Sequence, residues 1–176
     1  SNSNSGKKLL ENQYNVPEKK IFVIKNGINL ELFVDLKTDK SLKANLGISS
    51  ETKVITSIGR IAEQKGHKYL VEAANVLINQ YKKDLVFLLV GKEEEAAAEV
   101  KSLIEKYSLS SQFLLLGIRE DIESVLSITD IFVLPSLWEG QSNVLLEAMA
   151  AKLPIIATDI EENKEVIENG RTGILI

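Results

Sequence analysis

The spacing of apolar positions along the chain changes character at about Lys53. From there, short runs rich in Val, Ile and Leu occupy residues 54–58, 85–90, 113–116, 131–134, 154–157 and 173–176. Runs of this length, apolar almost throughout, predict strands buried on both faces. Between them apolar residues recur every three or four positions, as Leu70, Val71, Ala74, Leu77 and Ile78 do within 66–81, and Val100, Leu103 and Ile104 within 92–107. That period predicts amphipathic helices there, with further helices at 121–128 and 141–151 and a short one at 163–167. Ahead of Lys53 the pattern is looser. It predicts a short helix at 7–14, a strand at 20–24 stopped by an Asn26-Gly27 turn, and a helix capped by Asp39 and ended by Gly47. Strands alternating with helices specify an open, doubly wound α/β domain with a mostly parallel sheet of about six strands and helices on both faces. The expected organisation is one domain over 1–176, with a connecting segment and first strand in 1–30 and regular β-α units over 53–176.

Composition narrows this picture. A chain of 176 residues can bury a sizeable core without staples, and it has no cysteine, so thiolate chemistry, disulfides and cysteine-ligated metals are excluded. The formal charge of −4 argues against a general nucleic-acid binder, so any phosphate recognition has to come from a local cluster of cations. No apolar run approaches the roughly 20 residues of a membrane-spanning helix. The opening SNSNSG has no secretion-signal pattern and reads as the cut end of a longer chain.

In open α/β sheets, ligands bind beyond the carboxyl ends of the strands, which directs attention to two loops. The first follows residues 54–58 and runs Gly59-Arg60-Ile61-Ala62-Glu63-Gln64-Lys65-Gly66. Its planar guanidinium, point ammonium and close-approach glycines suit a diphosphate, although a solvated basic loop would read the same way. It is not a P-loop, because no Ser or Thr follows Lys65. The second is PSLWEGQSNVLLEAMAA, residues 135–151, in which Glu139 sits in a turn and Glu147 interrupts an apolar helix. Residues Gly140, Gln141, Ser142 and Asn143 open that helix, and free amides at a helix start attract anions. Seven helical steps from Gly140 to Glu147 cover about 10 Å, which suits two acids at opposite ends of an extended ligand better than a glycosidase pair flanking one bond. The competing possibility is structural, with Glu139 favouring the helix dipole and Glu147 paired to a core cation. The single histidine, His67, reads as a surface residue, Glu93-Glu94-Glu95 as an acidic first helical turn, and Trp138 as packed beside its turn.

The frame PSLWEGQSNVLLEAMAAKLPIIAT resembles the C-terminal donor-binding domain of retaining glycosyltransferases of family 4, which have the GT-B fold. SIGRIAEQKGHKYLVEAA is similar to that family's Gly-Arg…Lys-Gly motif, VIKNGINLELF to its Asn-Gly segment and EVIENGRTGILI to its closing motif. The resemblance implies a Rossmann-like C-terminal half of a GT-B fold that binds a UDP-, GDP- or ADP-sugar with no metal and no cofactor. It implies that Gly59, Arg60 and Lys65 meet the diphosphate, Glu139 the sugar hydroxyls and Glu147 the ribose. It implies further that amides from Gly140 to Asn143 meet phosphate and sugar, and that Ile118 and Arg119 lie against the base. Arg60, Lys65 and Glu139 are then the candidate catalytic residues. An acceptor-binding N-terminal domain would complete the protein, in the cytoplasm, with any peripheral membrane contact made through that domain and none with nucleic acid. A nucleotide-sugar epimerase, a phosphorylase and a non-catalytic interaction module remain as alternatives. The sequence departs from the family pattern at Gln141-Ser142, at Lys152 in place of a helix-ending glycine, and at Glu161-Glu162, which are expected to point outward.

Overall fold

The computed structural model describes residues 1–176. The chain forms, in order, α1 (Asn4–Asn12), α2 (Lys40–Asn45), β1 (Lys53–Ile58), α3 (His67–Asn75), β2 (Leu85–Val90), α4 (Ala97–Lys106), β3 (Phe113–Gly117), α5 (Ile122–Ser127), β4 (Ile131–Leu134), α6 (Asn143–Ala150), β5 (Ile155–Ala157), α7 (Glu161–Lys164) and β6 (Ile174–Leu175). Six strands pair in the order β3-β2-β1-β4-β5-β6, and every pairing is parallel. The sheet is longest at its centre, where β1 and β2 stay in register from Lys53 opposite Leu85 to Ile58 opposite Val90. Strand order reverses between β1 and β4, so the crevice of this doubly wound sheet opens between the loops that leave those two strands.

Alternate residues of each strand enter different cores, as the pleat requires. Val54 and Ile58 of β1, Leu88 and Val90 of β2, Phe132 and Leu134 of β4, and Ile155 and Ala157 of β5 pack with Val125, Leu145 and Ile167. Ile55, Phe87, Leu89 and Val133 face the other way, onto Leu70, Val71 and Ala74 of α3 and Val100 and Ile104 of α4. Phe87 stacks on Phe113 there, with ring centroids 4.8 Å apart. Beside α3 on this second face runs an apolar groove of about 570 Å³ lined in part by Ile131, Val133, Ile156 and Ile176.

The structure corrects several expectations. Residues 21–29 contain no strand, and Asn26-Gly27 makes no turn. The chain forms a single helical turn, Glu18–Lys20, and then runs extended with Phe22 and Ile24 largely exposed. A strand needs a hydrogen-bonded neighbour, and Ile24 donates only to the carbonyl of Ser1. The helix expected at 66–81 ends as α3 at Asn75 and continues as a wider π turn, Val76–Gln80. The Glu93-Glu94-Glu95 triplet precedes α4, because its acids are engaged elsewhere: Glu94 pairs with Arg60 and Glu95 accepts the amide of Glu63. α6 starts at Asn143, so Glu147 lies one turn into the helix, about 6 Å from its first residue, and Gly140 lies outside it.

A candidate donor site at the sheet crevice

Two glycines bring the walls of the crevice together. Gly66 has φ +61°, and a Cβ there would lie 2.1 Å from the carbonyl oxygen of Pro135, so the loop after β1 touches the loop after β4 through bare backbone. Gly91 ties the end of β2 to Gly59 in the same manner, with its missing Cβ 2.1 Å from the Gly59 carbonyl. The stem of Lys65 then lies along Gly59, 3.2 Å from where that glycine would carry a Cβ. This delivers the Lys65 ammonium to Glu139 across the crevice, with Nζ 2.5 Å from Oε1.

The pair is well shielded, with side-chain exposures of 13% for Lys65 and 6% for Glu139. Ser136, fully buried, donates to the same Glu139 oxygen at 2.6 Å. Thr158 at the end of β5 in turn donates to the Ser136 carbonyl, and Asn163 donates to the Thr158 carbonyl at 3.0 Å. A ladder of small polar groups therefore fixes the turn that holds Glu139. Removing one partner of this partly buried pair leaves a charge without its counterpart, at a cost of about 1–3 kcal/mol.

Arg60 lies further out. Its guanidinium pairs with Glu94 at 2.7 Å and reaches Gln64 at 3.2 Å, while Gln64 also donates to the Trp138 carbonyl at 2.8 Å. Trp138 itself is 52% exposed. Ile118 is exposed at the end of β3, and next to it the Arg119 guanidinium forms a bidentate pair with Asp121. That carboxylate raises the Arg119 pKa further, and the guanidinium lowers that of Asp121.

Glu147 behaves differently from Glu139. Its Oε2 is sealed from solvent and has no hydrogen-bond partner. Its carboxyl is pushed above the usual range by burial first and by the Glu123 carboxylate on α5 second. The charged group nearest to it electrostatically is thus another acid, which leaves the core-cation explanation without its cation. Ser142 precedes α6 as a buried residue, and no side chain caps the first turn of the helix, so the Asn143 end presents open amides toward the crevice. His67 is the other surprise: it opens α3 on the buried side, 2% exposed, with Nδ1 unpartnered. Burial, and secondarily the Lys65 ammonium, depress its pKa to about 4. Glu161 pairs with Lys164 at 3.2 Å, and Glu162 accepts the Ser5 hydroxyl of α1 at 2.7 Å, so neither acid turns on the Lys65 side.

The sequence-predicted residues therefore fall into a tight group, Gly59, Lys65, Glu139 and the 140–143 loop, with Arg60 and Glu147 at its margins and Ile118 and Arg119 apart at the end of β3. Ser136, Gln64 and Glu94 escaped the sequence reading. Ser136 carried a signal, a small polar residue directly behind an apolar strand. Glu94 carried none, because its partner lies 34 positions away. No group of three or more His, Asp or Glu side chains is placed to hold a metal ion.

A doubly wound sheet with a shielded cation-acid pair and an open helix start at its reversal point is an α/β domain of the type that binds ligands beyond the carboxyl ends of its strands. The chain belongs to the family of glycosyl transferases group 1, whose model matches residues 38–176. It is 37% identical over 175 residues to the UDP-Gal:alpha-D-GlcNAc-diphosphoundecaprenol alpha-1,3-galactosyltransferase of Escherichia coli, covering 98% of this chain and 45% of that protein. Among solved structures, a glycosyltransferase from Rickettsia africae superposes with TM-score 0.88 at 29% identity, over 99% of this chain and 48% of that one. Anabaena HepE in complex with UDP and glucose superposes with TM-score 0.89 at 25% identity, over 100% of this chain and 48% of that one. The sheet is the Rossmann-like fold of these GT-B neighbours. The chain spans about half the length of these relatives.

Proposed function

We propose that this chain is the donor-binding domain of a retaining, family 4 glycosyltransferase that transfers a sugar from a UDP-, GDP- or ADP-sugar to a glycan, lipid or small-molecule acceptor. The observation that carries the reading is the crevice itself, where Lys65 and Glu139 stand side by side while Glu147 holds a buried carboxylate oxygen with nothing to bind. In this reading Lys65 and Arg60 take the diphosphate, Arg60 exchanging Glu94 for phosphate oxygens, and Gly59 lets the backbone approach. The amides about Gly140, Gln141, Ser142 and Asn143 meet phosphate and sugar. Glu139 turns from Lys65 to the sugar hydroxyls, Glu147 accepts the ribose diol, and Ile118 and Arg119 border the base. The two cations stabilise negative charge as the nucleoside diphosphate departs, so the transfer needs no metal or cofactor.

The acceptor site belongs in this proposal to an N-terminal domain of the full-length protein. No helix of the chain is long and apolar enough to cross a membrane, and we place the protein in the cytoplasm with any membrane contact made through the other domain. Calorimetry of the full-length protein with UDP, GDP and ADP should show binding of at least one. Glu147→Ala should weaken that binding about ten-fold, the loss of one charge-assisted hydrogen bond, and Glu139→Ala should mainly lower kcat. No binding of any nucleotide, or unchanged kinetics in both variants, would overturn the proposal.

A further inference from the structure

Asn26, expected to mark only a turn, makes three contacts with the far side of the crevice, more than 100 positions along the chain. Its backbone amide donates to Gln141 Oε1 at 2.5 Å, and its side-chain Nδ2 donates both to the Gln141 carbonyl at 3.0 Å and to Asn143 Oδ1 at 2.8 Å. One carboxamide thus holds both the residue before Ser142 and the first residue of α6. A second carboxamide, that of Asn2, lies against Gly140, with its Oδ1 3.2 Å from where a Cβ would stand. The neighbours of Asn26, Lys25 and Gly27, are exposed, and residues 21–29 form no helix or strand, so Asn26 is the residue of this segment that reaches Gln141 and Asn143.

We infer that Asn26 is a positioning residue for donor binding, setting the 140–143 loop and the open end of α6 from the connecting segment. The inference rests on the donor site proposed above. Asn143 could otherwise turn its carbonyl oxygen onto the free amides of the helix start, as Asn side chains do there. Held by the Asn26 carboxamide, that oxygen faces away and the amides stay available to an anion, while Gln141 Oε1 is held by the Asn26 backbone amide. Gln141 on this account faces the connecting segment and does not choose the sugar. The segment between the two domains of the full-length protein then reports directly on the nucleotide site, because any shift of residues 21–29 carries the loop with it.

The test uses the full-length protein and whichever of UDP, GDP and ADP the wild type binds. Asn26→Ala should raise the Kd of that nucleotide and the KM of its sugar about ten-fold, the worth of roughly one hydrogen bond, with kcat changed less than two-fold and the thermal midpoint nearly unmoved. Asn26→Asp, which keeps the size but turns a carboxylate toward two acceptor oxygens, should be no better than Asn26→Ala. Asn26→Ala combined with Asn143→Ala should bind no worse than Asn26→Ala alone, since both remove one contact. If the wild type binds a nucleotide and Asn26→Ala binds it equally well, or if the two substitutions add fully and track the loss in thermal midpoint, the inference fails. A wild type that binds none of the three defeats the donor-site proposal instead.

Discussion

His67 is buried and Glu147 half-buried, each with an unsatisfied sealed atom, and both give pH signatures. A histidine depressed to about 4 takes up a proton less readily folded than unfolded, so acid opposes folding. Its contribution is complete above the ordinary value near 6.5 and is lost as pH falls from there toward 4, worth at most about 3 kcal/mol. Urea melts between pH 4 and 7 should therefore show a slope that His67→Leu flattens. Glu147 has the opposite sign. Its raised pKa penalises the ionised form above the folded pKa, and the penalty vanishes below the usual carboxylate range near 4.5. Glu147→Gln should raise the thermal midpoint of the ligand-free protein at pH 7, lose that advantage near pH 4, and weaken nucleotide binding. The sequence revealed Glu147, because an acid within an apolar helix is conspicuous in one dimension. It misplaced His67, because Lys65 and Lys68 around it suggest solvent while the start of α3 turns it inward.

Helix and strand ends show where one-dimensional reading stops. The runs of β1, β2 and β4 were legible because they are apolar on both faces and needed no partner to be identified. Residues 21–24 are as apolar as many strands, yet they pair with no strand of the sheet. α6 ends in a Schellman motif, in which Lys152 donates to Met149 at 2.9 Å and Leu153 to Ala148 at 3.1 Å. Lys152, the departure from a family glycine, sits there at φ +59°. Its Cβ resists that conformation, so Lys152→Gly should stabilise the protein by about 1 kcal/mol in urea denaturation. Nucleotide affinity should not change, since the motif lies at the end of α6 away from Lys65.

The topology as a whole followed from the alternation of strands and helices, since right-handed crossovers leave few ways to wind six parallel strands. The contacts that shape the site did not follow from it: Arg60 with Glu94, Lys65 with Glu139, and Asn26 with Gln141 join segments whose separations no periodicity encodes. The winding also leaves the sheet unequal across its width, because β1 and β2 have six residues each whereas β5 has three and β6 two. Local opening follows such differences in hydrogen bonding and burial. Amide hydrogen exchange should therefore be slowest in β1 and β2 and fastest in β6, with β5 between them. Lys65 hangs from the slow half, while α6 leads into the fast one. A nucleotide that bridged them would lend the firmness of one half to the other, so on its addition the amides of α6 and β5 should gain protection while those of β1 barely change.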